Sequence, residues 1–145
     1  MGEGQIFGMK TGDKLFFLEN LARVRRKSLK DVYNEYNDDD INWFELERLS
    51  RALVAYKDKR KIIDYTDMLM KCLKINSFPK LRILFVDEAQ DLSAIQWDII
   101  NEIGKETETI YIAGDDDQAI FKWAGADVDH FIALKEEVDD IKILD

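Results

Sequence analysis

Residues 82–91, RILFVDEAQD, decide the fold class that we predict for this chain of 145 residues. A short apolar run ends there in two adjacent carboxylates, Asp87 and Glu88. Such a run is typical of a buried strand in a parallel sheet. Ligands of open α/β sheets bind at the carboxyl ends of the strands. The stretch therefore predicts a buried strand that delivers two acidic side chains to a binding site.

A second apolar run with an acidic end lies at residues 109–127, TIYIAGDDDQAIFKWAGAD. Between the two runs, residues 93–104 predict a helix that Gly104 would end with a left-handed cap. We expect a further helix around residues 127–135 and a last strand at residues 141–144. Strands and helices that alternate at this spacing indicate right-handed crossovers in a parallel sheet.

The first part of the chain has a different pattern, because apolar residues recur there at helical spacing. Asn42 predicts a helix start with a capping box to Glu45, and Asp64 predicts the start of another helix. The predicted fold class is therefore α/β, with a partial parallel sheet that follows a helical module. We place the boundary near residue 62, between a helical accessory segment (1–62) and an α/β segment (63–145).

Composition limits the class of protein. Hydrophobic residues make up 46% and charged residues 35%, as in globular proteins. No run approaches the ~18 apolar residues of a membrane span, and the one cysteine excludes a disulfide framework. A cytoplasmic location is the expected default. The net charge of −9 argues against a protein that coats nucleic-acid phosphates, and basic clusters at residues 23–30 and 57–61 are expected to be solvated helix faces.

The side chains at the two strand ends suit nucleotide chemistry. An aspartate placed like Asp87 can hold Mg²⁺ through its water shell. An adjacent glutamate such as Glu88 can orient and deprotonate the water that attacks a γ-phosphate. Gln118 offers an amide for a phosphate or a water, and Trp123 an indole that can stack on an unpaired base. Simpler interpretations stay open: a loop start, a solvated turn and a tryptophan buried in the core.

Both stretches resemble motifs of one helicase family. VDEAQD at residues 86–91 resembles the Walker B motif of UvrD/Rep-type superfamily-one DNA helicases. GDDDQAIFKWAGAD at residues 114–127 resembles their third helicase motif, at a similar separation. DYTDML at residues 64–69 resembles the segment with which these helicases re-enter the motor domain after a helical insertion. The resemblance is close over residues 62–145 and weaker over residues 10–60.

The resemblance implies a fold and an activity for the parent protein. The chain would be the central part of a RecA-like ATPase motor domain, preceded by the helical insertion. The parent would be an ATP-dependent helicase that moves on single-stranded DNA. By this resemblance Asp87 would hold the Mg²⁺ of ATP and Glu88 would be the catalytic base. Gln118 would sense the γ-phosphate, and Trp123 would stack on single-stranded DNA.

Other features limit these expectations. The resemblance gives Asp115 no distinct role, and Ala124 stands where many relatives carry arginine, which puts one coupling contact in doubt. No G-x-x-x-x-G-K-[ST] sequence occurs, so no loop of this chain can wrap the β- and γ-phosphates. We therefore expect a truncated piece that alone neither hydrolyses ATP efficiently nor unwinds DNA. His130 lacks metal-ligand spacing to any partner and is expected to be a surface or capping residue.

Two other functional classes stay open. A metal-dependent nuclease would use Asp87, Glu88 and the aspartates at 115–117 in two-metal chemistry, which leaves Gln118 and Trp123 without a role. A degenerate helicase piece would act as a non-catalytic module that binds nucleic acid or protein. Within the helicase interpretation, a further hypothesis is that the basic helical clusters contact duplex DNA ahead of the motor.

Overall fold

The computed structural model describes residues 9–36 and 38–142. A helical part comes first, and a βαβ unit follows it along the chain. The helices and strands are α1 (Thr11–Val24), α2 (Leu29–Tyr36), α3 (Trp43–Arg60), α4 (Tyr65–Ile75), β1 (Ile83–Val86), α5 (Ala94–Gly104), β2 (Thr109–Ile112) and α6 (Val128–Ala133). Short 3₁₀ turns lie at Ala89–Asp91, Asp116–Gln118, Lys122–Ala124 and Leu134–Glu136. The predicted order, helices first and a parallel α/β part second, is confirmed.

The helical part packs around one face of α1. Its core consists of Leu18, Leu21, Ala22, Val32, Ile41 and Leu46, all nearly or fully buried. Burial of each large side chain contributes about 1.5–3 kcal/mol. Lys14 is buried beside this core and donates to Asp38 at 2.8 Å and to Asp40 at 3.0 Å. These bonds raise the pKa of Lys14, and they attach the loop between α2 and α3 to α1.

Side-chain caps begin two of the predicted helices. The Asn42 side chain accepts from the N–H of Phe44 at 2.8 Å, so it caps α3. The predicted capping box with Glu45 is wrong, because the Asn42 side chain accepts from the N–H of Phe44, the second residue of the helix, and not from that of Glu45. Asp64 caps α4 as predicted, and it forms a reciprocal capping box with Asp67. Local polar residues in the sequence thus predict where helices begin better than which amide they bind.

The strands β1 and β2 form a two-stranded parallel sheet, with α5 as the crossover. Ile83 pairs with Thr109, and Val86 pairs with Ile112. One face of the sheet packs against α5 and α6, around the buried side chains of Val86, Ala89 and Trp97. Because the strands are parallel and Val86 pairs with Ile112, their carboxyl ends lie at the same edge of the sheet.

The other face of the sheet is exposed, so the prediction that both strands are buried is wrong for that face. Phe85 is 73% exposed and Tyr111 is 54% exposed, and their rings stack with centroids 5.0 Å apart. Successive strand side chains alternate between the two faces. Because α5 and α6 cover only the face of Val86, no element of the described ranges shields Phe85 and Tyr111.

Two further predictions differ from the structure, one for the last strand and one for the end of α5. Residues 141 and 142 do not form a strand, and the rest of the predicted strand at 141–144 lies outside the described residues. Gly104 ends α5 without the left-handed backbone that we predicted. A Cβ at Gly104 would lie 2.9 Å from the Ile110 side chain, so glycine serves close packing between α5 and β2.

A cluster of charged residues joins α1, α3 and α4, and we call it the charge cluster. Arg23 contacts Glu19, Asp64 and Asp67, while Lys57 contacts both aspartates at 2.7–3.0 Å. Burial alone would raise the pKa of Asp64. The hydrogen bonds from Arg23, Lys57 and the Asp67 amide outweigh it and hold that pKa well below 3.8. These contacts join residues on both sides of position 62. The domain boundary that we place near that position stays a prediction.

None of the helices within residues 9–36 and 38–142 combines the length and the apolar character that crossing a membrane requires.

Candidate functional site

The segments that follow β1 and β2 are held side by side beyond the strand ends. The N–H of Ala113 donates to the carbonyl of Val86 at 2.8 Å, and the N–H of Ala89 donates to the carbonyl of Ala113 at 2.9 Å. The two segments therefore remain hydrogen-bonded to each other beyond the last residues of the strands. This hydrogen bonding brings the acidic end of β1 next to the loop that begins at Gly114.

Asp87 and Glu88 are both exposed at this edge. The Asp87 carboxylate accepts from the N–H of Glu88 at 3.0 Å. Glu88 has a left-handed backbone, with φ 51° and ψ 42°, which costs a residue with a Cβ about 1–2 kcal/mol. Such local strain is typical of functional sites. Glu88 immediately precedes the 3₁₀ turn at Ala89–Asp91, in which Ala89 and Gln90 are buried.

Gln90 connects the two strand ends, and sequence reasoning missed it. Its side chain is almost completely buried, at 1% exposure. The amide nitrogen donates to the Glu88 carboxylate at 2.7 Å, and the amide oxygen accepts from the N–H of Asp115 at 3.0 Å. Only one orientation of the amide satisfies both partners, because the nitrogen only donates and the oxygen only accepts. A fully buried glutamine is unusual, but its burial is not visible in the sequence.

Asp115 gains a structural role that the resemblance did not supply. One carboxylate oxygen accepts from the N–H of Asp117 at 3.0 Å, which shapes the 3₁₀ turn at Asp116–Gln118. The other oxygen accepts from the side-chain amide of Gln118 at 2.6 Å. A continuous series of hydrogen bonds thus joins Glu88, Gln90, Asp115 and Gln118, and we call these four residues the polar chain.

Gly114 makes the polar chain possible through space rather than through backbone freedom. A Cβ at this position would lie 2.7 Å from the Gln90 amide oxygen and 2.8 Å from the ring of Phe131. Both neighbours are fixed, the first by its hydrogen bond to Asp115 and the second by packing of α6 against the sheet.

Trp123 makes no hydrogen bond to the polar chain; its aromatic contact is with α1. The indole is partly buried in the 3₁₀ turn at Lys122–Ala124. It stacks on Phe17 with ring centroids 6.1 Å apart and an interplanar angle of 21°. Trp123 is therefore neither a fully buried core residue nor an indole with two free faces. Phe17 covers part of one face in an offset stack.

His130 lies at the start of α6, where its N–H donates to the capping Asp127 at 3.1 Å. Its ring is not a surface group, which corrects part of the expectation. The ring packs against Trp97 with centroids 4.8 Å apart. Among the described residues, the buried atoms Nε2 of His130, Nε1 of Trp97 and Oδ1 of Asp91 have no hydrogen-bond partner.

A cleft of about 240 Å³ lies between the end of α1, the start of α4 and two segments, residues 91–96 and 121–126. Its lining residues are Val24, Tyr65, Leu69, Asp91, Ser93, Gln96, Phe121, Ala124 and Ala126. Ala124 is thus part of the cleft wall. Three of the lining residues, Phe121, Ala124 and Ala126, belong to the segment that follows β2.

The carboxylates at the strand ends fit a magnesium nucleotide better than a metal held by protein alone. In the described part of the chain, no three histidine, cysteine or acidic side chains are arranged to hold a metal ion. Mg²⁺ commonly takes one or two carboxylates, and phosphates and waters complete its octahedron. Asp87 is exposed and forms no ion pair with another described residue, which suits that role.

Together the fold and the site define a class of protein. It is an α/β protein in which polar side chains join two parallel strand ends at the edge where such folds bind ligands. Residues 14–139 match the family model of the UvrD/REP helicase N-terminal domain. Because the match covers most of the chain, the chain belongs to this family.

Individual relatives agree with the family match. The chain is similar to the ATP-dependent DNA helicase Rep of Buchnera aphidicola subsp. Acyrthosiphon pisum (strain APS), at 31% identity over 98 residues, which is 61% of this chain and 15% of the relative. RecBCD enzyme subunit RecB of the same organism is 30% identical over 140 residues, 93% of this chain and 12% of the relative. The ATP-dependent DNA helicase PcrA of Bacillus subtilis (strain 168) is 23% identical over 95 residues, 59% of this chain and 13% of the relative. The chain spans less than a fifth of the length of these relatives.

Proposed function

We propose that the chain is part of an ATP-dependent DNA helicase that couples hydrolysis of Mg-ATP to movement on single-stranded DNA. Within it, residues 63–145 would form the central part of a RecA-like motor domain, after a helical accessory segment at residues 1–62. The observation that carries the proposal is the polar chain, which joins the Glu88 carboxylate to the Gln118 amide. The relatives' names, ATP-dependent DNA helicases, support the same class.

Asp87 and Glu88 would divide the chemistry at the end of β1. The Asp87 carboxylate would hold Mg²⁺, which when bound neutralises charge on the β- and γ-phosphate oxygens. Glu88 would orient the attacking water and accept its proton. Gln90 already donates to one oxygen of the Glu88 carboxylate. The other oxygen is therefore the one that would take the proton.

Gln118 would report the presence of the γ-phosphate. Its amide nitrogen carries two hydrogens, and one already bonds to Asp115. The second can donate to a phosphate oxygen, so Gln118 can contact the nucleotide and remain attached to the polar chain. Loss of the phosphate would change the position of Gln118, and Asp115 and Gln90 would pass that change to Glu88.

Trp123 would stack on a base of single-stranded DNA through the face that Phe17 leaves free. Base stacking on an aromatic side chain contributes about 1–3 kcal/mol and tolerates any sequence. Trp123 lies five positions after Gln118 along the chain, so the proposed nucleotide and DNA contacts lie in one continuous loop.

The isolated chain would neither hydrolyse ATP efficiently nor unwind DNA, because it contains no loop that wraps the phosphates. Robust ATP turnover by the purified 145-residue chain that Glu88→Gln abolishes would contradict this part of the proposal.

We also propose a contact with duplex DNA. It would involve the end of α3 rather than the basic cluster at residues 23–30. Arg25 and Lys27 pair with Glu35, and Arg26 pairs with Asp98 at 2.9 Å. Two carboxylates therefore offset part of the charge of these three cations. The exposed residues 59–61 at the end of α3 form no ion pair with other described residues, and they remain available for phosphates.

The experiment is single-stranded-DNA-stimulated ATPase of the full-length protein, with Glu88→Gln beside the wild type. Loss of the base should reduce kcat by about 10²–10⁴-fold, while ATP binding is kept. Glu106→Gln is a matched control, because Glu106 is exposed near the opposite, amino ends of the strands. A wild-type protein without stimulated hydrolysis would point to the non-catalytic module. Magnesium-dependent cleavage of DNA without ATP would point to the nuclease.

A further inference from the structure

We propose that Phe17 is a positioning residue for Trp123: it packs in an offset stack against part of one face of the indole, so that a nucleobase stacks on the opposite face. The inference rests on the proposed function, since it requires Trp123 to bind single-stranded DNA. Phe17 belongs to the helical segment, whereas the motif that contains Trp123 lies in the α/β part. Both parts of the chain would therefore contribute to the DNA contact.

The aromatic contacts show how Phe17 is held. Its ring lies nearly parallel to the Trp123 indole, with centroids 6.1 Å apart. On another side, Tyr36 of α2 meets Phe17 edge-on, also at 6.1 Å. Phe17 also packs against the core of the helical part and follows directly before the fully buried Leu18. A base cannot displace Phe17 from the indole without opening this core.

The same helix contacts the turn of Trp123 at two further points. Arg25 donates to the carbonyl of Lys122 at 2.9 Å, directly before the tryptophan. Gly125, directly after the turn, has φ 109°, and a Cβ there would lie 2.7 Å from the Val24 side chain. Helix α1 therefore constrains the backbone on both sides of Trp123 as well as one face of its ring.

A physical consequence follows for DNA binding. An indole with a fixed neighbour on one face is already oriented when the base arrives, so less side-chain freedom is lost on stacking. Without the ring at position 17, the indole would rotate and its second face would become accessible to solvent. Affinity should therefore decrease only for DNA that carries bases, because Phe17 would act only through the stacking of a base on Trp123.

The experiment uses the full-length protein and measures affinity for a fluorescent oligo-dT and for the same oligonucleotide with consecutive abasic sites. Phe17→Leu keeps an apolar side chain in the core but removes the ring, and Phe17→Tyr keeps the ring. The matched control is Phe16→Leu, because Phe16 is the adjacent residue and is 51% exposed. Trp123→Ala, alone and combined with Phe17→Leu, completes a double-mutant cycle.

We expect Phe17→Leu to weaken binding of oligo-dT by about 2- to 10-fold, as loss of one aromatic pair does. Trp123→Ala should weaken it by about 5- to 100-fold. Phe17→Tyr and Phe16→Leu should bind like the wild type. The effect of Phe17→Leu should disappear on abasic DNA and in the Trp123→Ala background, which a general loss of folding would not do.

The outcomes separate the two proposals. If Trp123→Ala binds oligo-dT as the wild type does, the stacking role of Trp123 fails, and the role of Phe17 fails with it. If Trp123→Ala weakens binding but Phe17→Leu does not, only the role of Phe17 is refuted. Tighter binding by Phe17→Leu would also refute it, since Phe17 would then compete with the base.

Discussion

Replacement of Gln90 by methionine should loosen the candidate site without creating a large cavity. Methionine has nearly the same length as glutamine and adapts its shape to the space available. It has no amide, however, so both hydrogen bonds of the buried Gln90 side chain are lost. The Glu88 carboxylate then loses its donor, and the N–H of Asp115 loses its acceptor.

The size of the effect follows from these two bonds. A hydrogen bond to a charged group contributes about 1.5–3 kcal/mol, and a neutral one about 0.5–1.5 kcal/mol. Glu88 is exposed and can bond to water in the variant. The bond between Gln90 and Glu88 is therefore assigned the lower limit of its range, about 1.5 kcal/mol. We therefore expect a local loss of about 2–3 kcal/mol, equivalent to about a 30- to 150-fold change in the opening of the loop.

Hydrogen exchange and ATPase measurements on the full-length protein would check this prediction. Amides of residues 113–118 should exchange at least about tenfold faster in Gln90→Met, since part of the local stability is lost. The kcat for ATP should also fall by about tenfold or more, with a smaller change in KM, because Glu88 is misoriented. Gln96→Met is the matched control, because Gln96 accepts from Ser93 in the cap of α5, away from the polar chain.

Either of two results would refute the reasoning. Unchanged exchange at residues 113–118 would mean that the bond between Gln90 and Asp115 does not stabilise the loop. Unchanged kcat, with faster exchange, would mean that the orientation of Glu88 does not depend on Gln90. An equal effect of Gln96→Met on both measurements would assign the change to general destabilisation.

Three other predictions follow from the described contacts. Gly114→Ala places a Cβ against Gln90, and overpacking of this kind costs about 1–3 kcal/mol; a lower Tm and lower ATPase would support it, and a wild-type Tm would contradict it. Asp64→Asn keeps the helix cap but loses the ion pairs of the charge cluster, about 1 kcal/mol for a partly exposed group. Because the folded pKa of Asp64 lies below 3.8, this stabilisation is complete above that pH and is lost as the pH falls through the folded pKa. Urea midpoints of wild type and Asp64→Asn should thus converge at low pH, and a constant difference would count against the charge cluster. Reversal of charge at Lys59 and Lys61 should weaken duplex binding and reduce its salt dependence; an unchanged salt slope would exclude that contact.

The sequence predicted the order of the helices and strands because the signals for them are local. The apolar runs at residues 83–86 and 109–112 are strands, and Asp64 begins a helix as its side-chain chemistry suggests. The burial of the strands was wrong for the face of Phe85 and Tyr111. Burial depends on which other elements cover a sheet, and a short apolar run carries no information about them.

The candidate site was predicted only in part, for a similar reason. Carboxylates at strand ends and a following amide are visible as patterns, so Asp87, Glu88 and Gln118 could be selected from the sequence. Gln90 could not be selected, because its importance arises from burial and from a partner 25 residues away. Phe17 was also missed, since its contact with Trp123 joins two parts of the chain that have unrelated sequence patterns.

The loop after β2 is attached to different structures at its two ends, and this arrangement bears on coupling. Its beginning is bonded to Glu88 through Gln90 and Asp115. Its end, around Trp123, is held by α1 through Phe17 and the contacts on either side of the turn. A change at the proposed nucleotide contact can therefore reach the proposed DNA contact by altering the segment between Gln118 and Trp123. We infer that α1 acts as the fixed support against which this segment moves. Weakening the attachment of α1 to α4, as in Asp64→Asn, should then reduce DNA stimulation of the ATPase more than the basal rate. Equal loss of both rates would show that the support of α1 is only structural.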